Sequence, residues 1–201
     1  MIKMTHELSH KTAWIFDLDG TLTIPVHDFA HMRTELGMQP GVDILQTLAA
    51  TKGEHKKRLT AHLDELEAFY AGQAQAAQGV EMLISRLAEK GCQIGIFTRN
   101  TKEMAILSLE AIGVGHYFNS ETIIGRDEAP HKPDPQGLLA ILQHWQKNVE
   151  DSVMVGDFKF DLEAGRAAGS ATVHIAKDEQ RWPQLTDFCY SSLAHLCDDI
   201  A

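Results

Sequence analysis

Three short apolar runs punctuate the chain, and each stops abruptly at polar residues. Ala13-Trp14-Ile15-Phe16 ends at Asp17-Leu18-Asp19-Gly20-Thr21, Gln93-Ile94-Gly95-Ile96-Phe97 at Thr98-Arg99-Asn100, and Ser152-Val153-Met154-Val155 at Gly156-Asp157. Continuous apolar runs of this length, bounded by turn-forming residues, predict buried strands feeding tight loops. A helical pattern follows the second run over 101–112 and the third over 162–168, with Gly113 and Gly169 as stops. Further helical patterns cover 80–90 and 135–145, and a β-like run covers 171–175. Leu193, Leu196 and Ile200 mark a last helix within 191–200 that docks on the sheet. Strands alternating with helices are best satisfied by a parallel sheet covered on both faces, so the fold class is α/β.

The segment from Pro25 to Gln78 breaks this rhythm. It holds helical patterns over 28–36, 42–50 and 54–76, with Pro40-Gly41 as punctuation, and no convincing strand. It reads as an all-helical insertion. In its last helix Leu59, Leu63, Leu66, Phe69 and Tyr70 recur at three- and four-residue steps and predict a core-facing stripe opposite a charged face.

With 201 residues the chain suits one domain, or one carrying a modest insertion, and 44% apolar with 23% charged residues excludes wholesale disorder and fibrous classes. The net charge of −10 repels a phosphate backbone or an anionic lipid face, so neither nucleic acid nor membrane is an expected partner. Cys92, Cys189 and Cys197 form no CxxC pair and are odd in number, which argues against a disulfide framework and a structural zinc site and fits a reducing cytoplasm. Met1 to Lys11 lacks the apolar stretch of a signal peptide, and no run approaches membrane-spanning length.

Ligands of a parallel α/β sheet collect at the carboxyl ends of its strands. Those ends carry Asp17 and Asp19, then Thr98, then Asp157 and Asp161, while Lys132 lies in the proline-stiffened stretch Pro130-His131-Lys132-Pro133-Asp134-Pro135. Taken singly, each has an ordinary explanation as a turn, a helix cap or a surface lysine; their joint placement carries the reading. Four aspartates and one lysine sharing a pocket would exclude a phosphate, so a cation is expected, and Mg²⁺ suits an oxygen-only donor set. Asp17 and Asp19 lie two apart, so both can flank one reacting atom, one attacking while the other moves a proton. Asp157 and Asp161 straddle a strand end and a helix start and can both face a metal.

Asp17-Leu18-Asp19-Gly20-Thr21-Leu22, Ile96-Phe97-Thr98, Lys132-Pro133-Asp134-Pro135 and Gly156-Asp157-Phe158-Lys159-Phe160-Asp161 resemble the four ordered motifs of the haloacid dehalogenase superfamily. The helical insertion after the first motif resembles the subfamily with a small helical cap, phosphoglycolate-phosphatase-like. The resemblance implies a Rossmann-like core of residues 1–24 and 79–201 with helices on both faces, and a cap of residues 25–78. It implies Asp17 as nucleophile and Mg²⁺ ligand, and Asp19 as proton donor to the leaving alcohol whose backbone carbonyl also touches the metal. Thr98 and Lys132, with the neighbouring Arg99 and Asn100, would bind substrate; Asp157 would ligate Mg²⁺ and Asp161 would support it. The expected activity is Mg²⁺-dependent hydrolysis of a small phosphorylated metabolite, of phosphoglycolate or sugar-phosphate type, through a phosphoaspartyl intermediate. A phosphotransferase or mutase of the β-phosphoglucomutase type, and a non-catalytic binding domain, are the alternatives.

Three positions depart from the family pattern: Thr23-Ile24-Pro25 replaces a common Asp-Ser pair, Arg99 follows Thr98 where Asn is common, and Phe158 stands where some relatives have Ser or Thr. From the insertion, His27, Asp28 and Arg33 are candidates to reach substrate, whereas Lys56, Lys57 and Arg58 read as a solvated helix face.

Overall fold

The computed structural model describes residues 8–24, 28–176 and 181–200. The strands are β1 (Ala13–Phe16), β2 (Gln93–Phe97), β3 (Ile123–Ile124), β4 (Ser152–Gly156), β5 (Ala171–Ile175) and β6 (Phe188–Tyr190). They form one sheet in the order β3-β2-β1-β4-β5-β6, parallel throughout. This is the Rossmann-like order, in which the winding reverses between β1 and β4. β1 and β4 run side by side from Ala13↔Ser152 to Phe16↔Val155, so Asp17 and Asp157 emerge from neighbouring strand ends.

Alternation along the strands feeds two cores. Trp14, Phe16, Ile94, Ile96, Val153 and Val155 face one side, where helices α4 (Val80–Glu89), α5 (Lys102–Ala111) and α8 (Leu193–Asp199) pack. Ala13, Ile15, Phe97 and Met154 face the other, under α6 (Gln136–Trp145) and α7 (Lys159–Ala168). Both sides of the sheet are thus covered, which is why its strands read as unbroken apolar runs rather than alternating ones.

Helices α1 (Phe29–Glu35), α2 (Ile44–Ala50) and α3 (Gly53–Ala71) share a smaller core of Met32, Leu36, Ile44, Leu48, Leu63 and Tyr70. Asp28 accepts from the Ala30 and His31 N–H groups and starts α1; Asp43 accepts from Gln46 N–H and starts α2. The expected stripe on α3 is corrected at one position: Leu63 and Tyr70 are buried, but Phe69 is 62% exposed. α3 also ends five residues before the expected Ala76, because Gly72 caps it and Ala76 pairs with Thr23 in an antiparallel bridge. α7 begins at Lys159 rather than Leu162, since Asp161 accepts from Phe158 N–H and extends the first turn. Pro25 and His27 lie outside the described residues.

Candidate active site

Asp17 follows β1, its N–H bonded to the Val155 carbonyl as though the ladder continued, and this aims its carboxylate over the sheet's end beside Asp157. Lys132 is buried to 1% exposure; its Nζ donates to Asp17 Oδ1 at 2.5 Å and Asp161 Oδ1 at 2.6 Å. Thr21 Oγ1 lies 3.3 Å from both Asp17 Oδ2 and Asp157 Oδ1, so one hydroxyl serves two carboxylates, one at a time. Oxygens of Asp17, Asp157 and Asp161 all lie within 4.8 Å of one another.

Two glycines make this approach possible. Gly20 holds φ +96°, and a Cβ there would sit 2.6 Å from Asp157 Oδ2. A Cβ on Gly156 would sit 2.2 Å from Asp161 Cβ, so β4 and α7 meet over bare backbone.

Three carboxylates and one ammonium leave the cluster with two surplus negative charges. Burial, then Asp17 and Asp161, push the Asp157 carboxyl well above its usual range. Asp161 is raised too, by burial, against the pull of Lys132. Lys132 itself titrates above its ordinary value: burial opposes its charge, but Asp161 and Asp17 outweigh burial.

Beside this cluster Asp19, Thr98, Arg99 and Asn100 all line a cleft of about 610 Å³ that also reaches Asp17, Lys132, Asp157 and Asp161. The eight residues expected at the strand ends and in the Lys132 loop thus line one space. Thr98 Oγ1 accepts from Asn100 N–H at 3.0 Å, leaving its own hydrogen to give, and Asn100 Nδ2 points at Asp19 Oδ2 over 3.4 Å. Arg99 reaches across to the helical segment, donating to Asp43 at 2.7 Å with its guanidinium 4.7 Å above the Phe160 ring.

Of the candidates in the helical segment, Arg33 lines the cleft, whereas Asp28 caps α1 and Lys56, Lys57 and Arg58 are exposed. The sequence reading missed Arg126, which donates to both oxygens of Glu67 at 2.8 and 2.7 Å and to Asp64 at 2.8 Å. Asp64 and Glu67 stand three apart on α3, a spacing that places two carboxylates on one helix face, but nothing in the sequence names the distant cation. Burial pushes Glu67 up to about 7 despite Arg126.

A family model described as haloacid dehalogenase-like hydrolase matches residues 14–175, which span all four motifs and the helical segment between the first two. The chain belongs to this family. A haloacid dehalogenase-like hydrolase domain-containing protein of Arabidopsis thaliana is 31% identical over 195 residues, covering 89% of this chain and 76% of that one. The pyrophosphatase PpaX of Listeria monocytogenes is 28% identical over 183 residues, covering 82% and 83%. Among solved structures, a Haemophilus somnus protein named as a predicted phosphoglycolate phosphatase superposes with a TM-score of 0.75 at 17% identity, covering 94% of this chain and 97% of that one; this likeness speaks for the fold alone.

Among the described residues no helix is long and apolar enough to cross a membrane. Cys92, Cys189 and Cys197 are free thiols.

Proposed function

We propose that the protein is a Mg²⁺-dependent phosphomonoester hydrolase that works through a phosphoaspartyl intermediate on Asp17. The observation that carries this reading is the close group of Asp17, Asp157 and Asp161, the first and last paired with buried Lys132, two negative charges in excess at the sheet's switch point. An all-oxygen donor set with surplus charge suits a hard divalent cation. Asp17 and Asp157, with the Asp19 carbonyl, would hold Mg²⁺, and Asp161 would support them. When bound, the ion neutralises the cluster so that a phosphate dianion can share the pocket with a carboxylate nucleophile.

The chain's own groups then divide the work. Lys132 fixes Asp17 through one carboxylate oxygen and keeps a third N–H for a phosphoryl oxygen. The Thr98 hydroxyl and the Asn100 amide give further donors on the same wall. Asp17 attacks phosphorus while Asp19 gives its proton to the departing alcohol oxygen. Asp19 next takes a proton from water, whose oxygen attacks the phosphoaspartate and frees phosphate. Residues 25–78 would act as a cap over this exchange.

Relatives bear names that range from pyrophosphatase to phosphoglycolate phosphatase, and both name hydrolysis at phosphorus. The free thiols Cys92, Cys189 and Cys197 fit work in a reducing cytoplasm.

Asp17→Asn keeps the shape of the cluster but removes the nucleophile. Phosphate release from a panel of phosphorylated small molecules should fall at least about 10³-fold, with an unchanged circular dichroism spectrum. Chelator should silence the wild type. A folded Asp17→Asn protein releasing phosphate near the wild-type rate refutes the assignment.

A further inference from the structure

The cleft is larger than a small dianionic substrate requires. At about 610 Å³ it lies within the range of roughly 300–1,000 Å³ typical of sites for drug-sized ligands. Above the acidic cluster its walls are apolar: Met32, Leu45 and Leu63 come from the helical segment, Phe158 and Phe160 from the start of α7.

The cations that line it are already committed. Lys132 is met by Asp17 and Asp161, and Arg99 by Asp43 at 2.7 Å. Arg33 donates from Nε to the Val42 carbonyl at 2.8 Å and from Nη1 to the Phe29 carbonyl at 3.0 Å. A second phosphate or a carboxylate on the substrate would have to displace Asp43 from Arg99 or take Arg33 from its carbonyls. An uncharged group displaces nothing.

The rings give that group a shape. Phe158 stands edge to face with Phe160 at 5.2 Å and with Trp182 at 5.4 Å between centroids, yet it remains 49% exposed where it lines the cleft. A large apolar ring left half in water on the wall of a site gains from being covered, and a further ring extends the edge-to-face ladder where a flexible polar chain does not.

We propose that the alcohol half of the substrate is a flat, uncharged aromatic group, seated against Phe158 and Phe160 with its phosphate ester pointing at Asp17. This rests on the phosphatase reading and adds the substrate class to it. It sets the chain apart from enzymes acting on pyrophosphate or on two-carbon acids.

Benzyl phosphate and ethyl phosphate test it, because both leave as alkoxides of similar basicity and differ in the ring. With Mg²⁺ present, kcat/KM should favour benzyl phosphate over ethyl phosphate by at least about tenfold, the worth of burying part of a ring. Phe158→Ala should shrink the advantage over ethyl phosphate to about threefold or less, chiefly through KM, and Phe158→Leu should restore part of it. Equal or lower kcat/KM for benzyl phosphate overturns the proposal, as does an advantage untouched in folded Phe158→Ala. Calorimetric binding of benzyl and ethyl phosphate to Asp17→Asn reads the same preference without turnover. If no ester is hydrolysed by the wild type, the phosphatase reading fails, while this binding ratio still decides for or against the ring.

Discussion

Lys132 is the one ammonium inside a group of three carboxylates, and its two contacts, 2.5 Å to Asp17 and 2.6 Å to Asp161, are both out of water. Breaking a buried pair by removing one partner costs more than the pair contributes, because the remaining charge keeps its desolvation cost. Lys132→Met should therefore lose about 3–5 kcal/mol in chelator at pH 7.5, read from the urea midpoint. Asp157 invites the opposite change. Its pKa is raised by burial and by Asp17 and Asp161, so this carboxyl favours the folded state when protonated, and that contribution is lost as pH rises through the raised value. At neutral pH without metal, Asp157→Asn should be the more stable protein by about 1–2 kcal/mol. The wild type should gain melting temperature on adding Mg²⁺ and Asp157→Asn should not. An Asp157→Asn protein less stable than wild type in chelator would show that the surplus charge is not a cost.

Elements bring these residues together by ending where they do. β4 stops at Gly156, and α7 starts three residues on at Lys159, with a capping bond from Phe158 N–H to Asp161 Oδ2 at 2.9 Å. A Cβ on Gly156 would fall 2.2 Å from Asp161 Cβ, so Gly156→Ala should push α7 off the strand end, cost about 1–3 kcal/mol and abolish phosphate release. This architecture is legible in the sequence wherever burial is two-sided. Ala13–Phe16, Gln93–Phe97 and Ala171–Ile175 are the strands that their apolar runs predict, and Asp17, Thr98 and Asp157 stand just past strand ends because those runs stop there. β3 and β6, of two and three residues at the sheet's edges, are too short to show a period. Local periodicity likewise cannot report long-range partners. Phe69 fits the α3 stripe yet points to solvent, and nothing near Arg126 in the chain foretells Glu67 or Asp64, some sixty positions away. The chemistry at strand ends is written locally, while the ion pairs that join the two parts of the molecule are products of the tertiary fold.

Across the described residues, two cations of the α/β core hold the helical segment: Arg99 at Asp43, and Arg126 at Asp64 and Glu67. They differ in how acid affects them. The Asp43 carboxyl is held below its usual value: burial raises it, but the Gln46 N–H and Arg99 outweigh burial, so its link persists down to acid pH. Glu67 is pushed from 4.5 up to about 7, burial outweighing Arg126, with Asp64 and Asp19 adding to the rise. A carboxyl with a raised folded-state value binds more protons folded than unfolded between those two values. Its contribution to stability is therefore full below about 4.5 and falls away as pH climbs to about 7, by at most about 3 kcal/mol. Glu67→Gln keeps the size and one acceptor but not the titration, so the urea midpoint of the variant should vary less between pH 4.5 and 7.5 than that of the wild type. The difference between the two proteins isolates Glu67 from Asp157 and Asp161, which are present in both. Should the two midpoints run parallel across this range, Arg126 fully compensates Glu67 and the link is a plain ion pair. Should they diverge as expected, burial of Glu67 outweighs its pairing with Arg126, and this contact between α3 and the core contributes less at neutral pH than at pH 4.5.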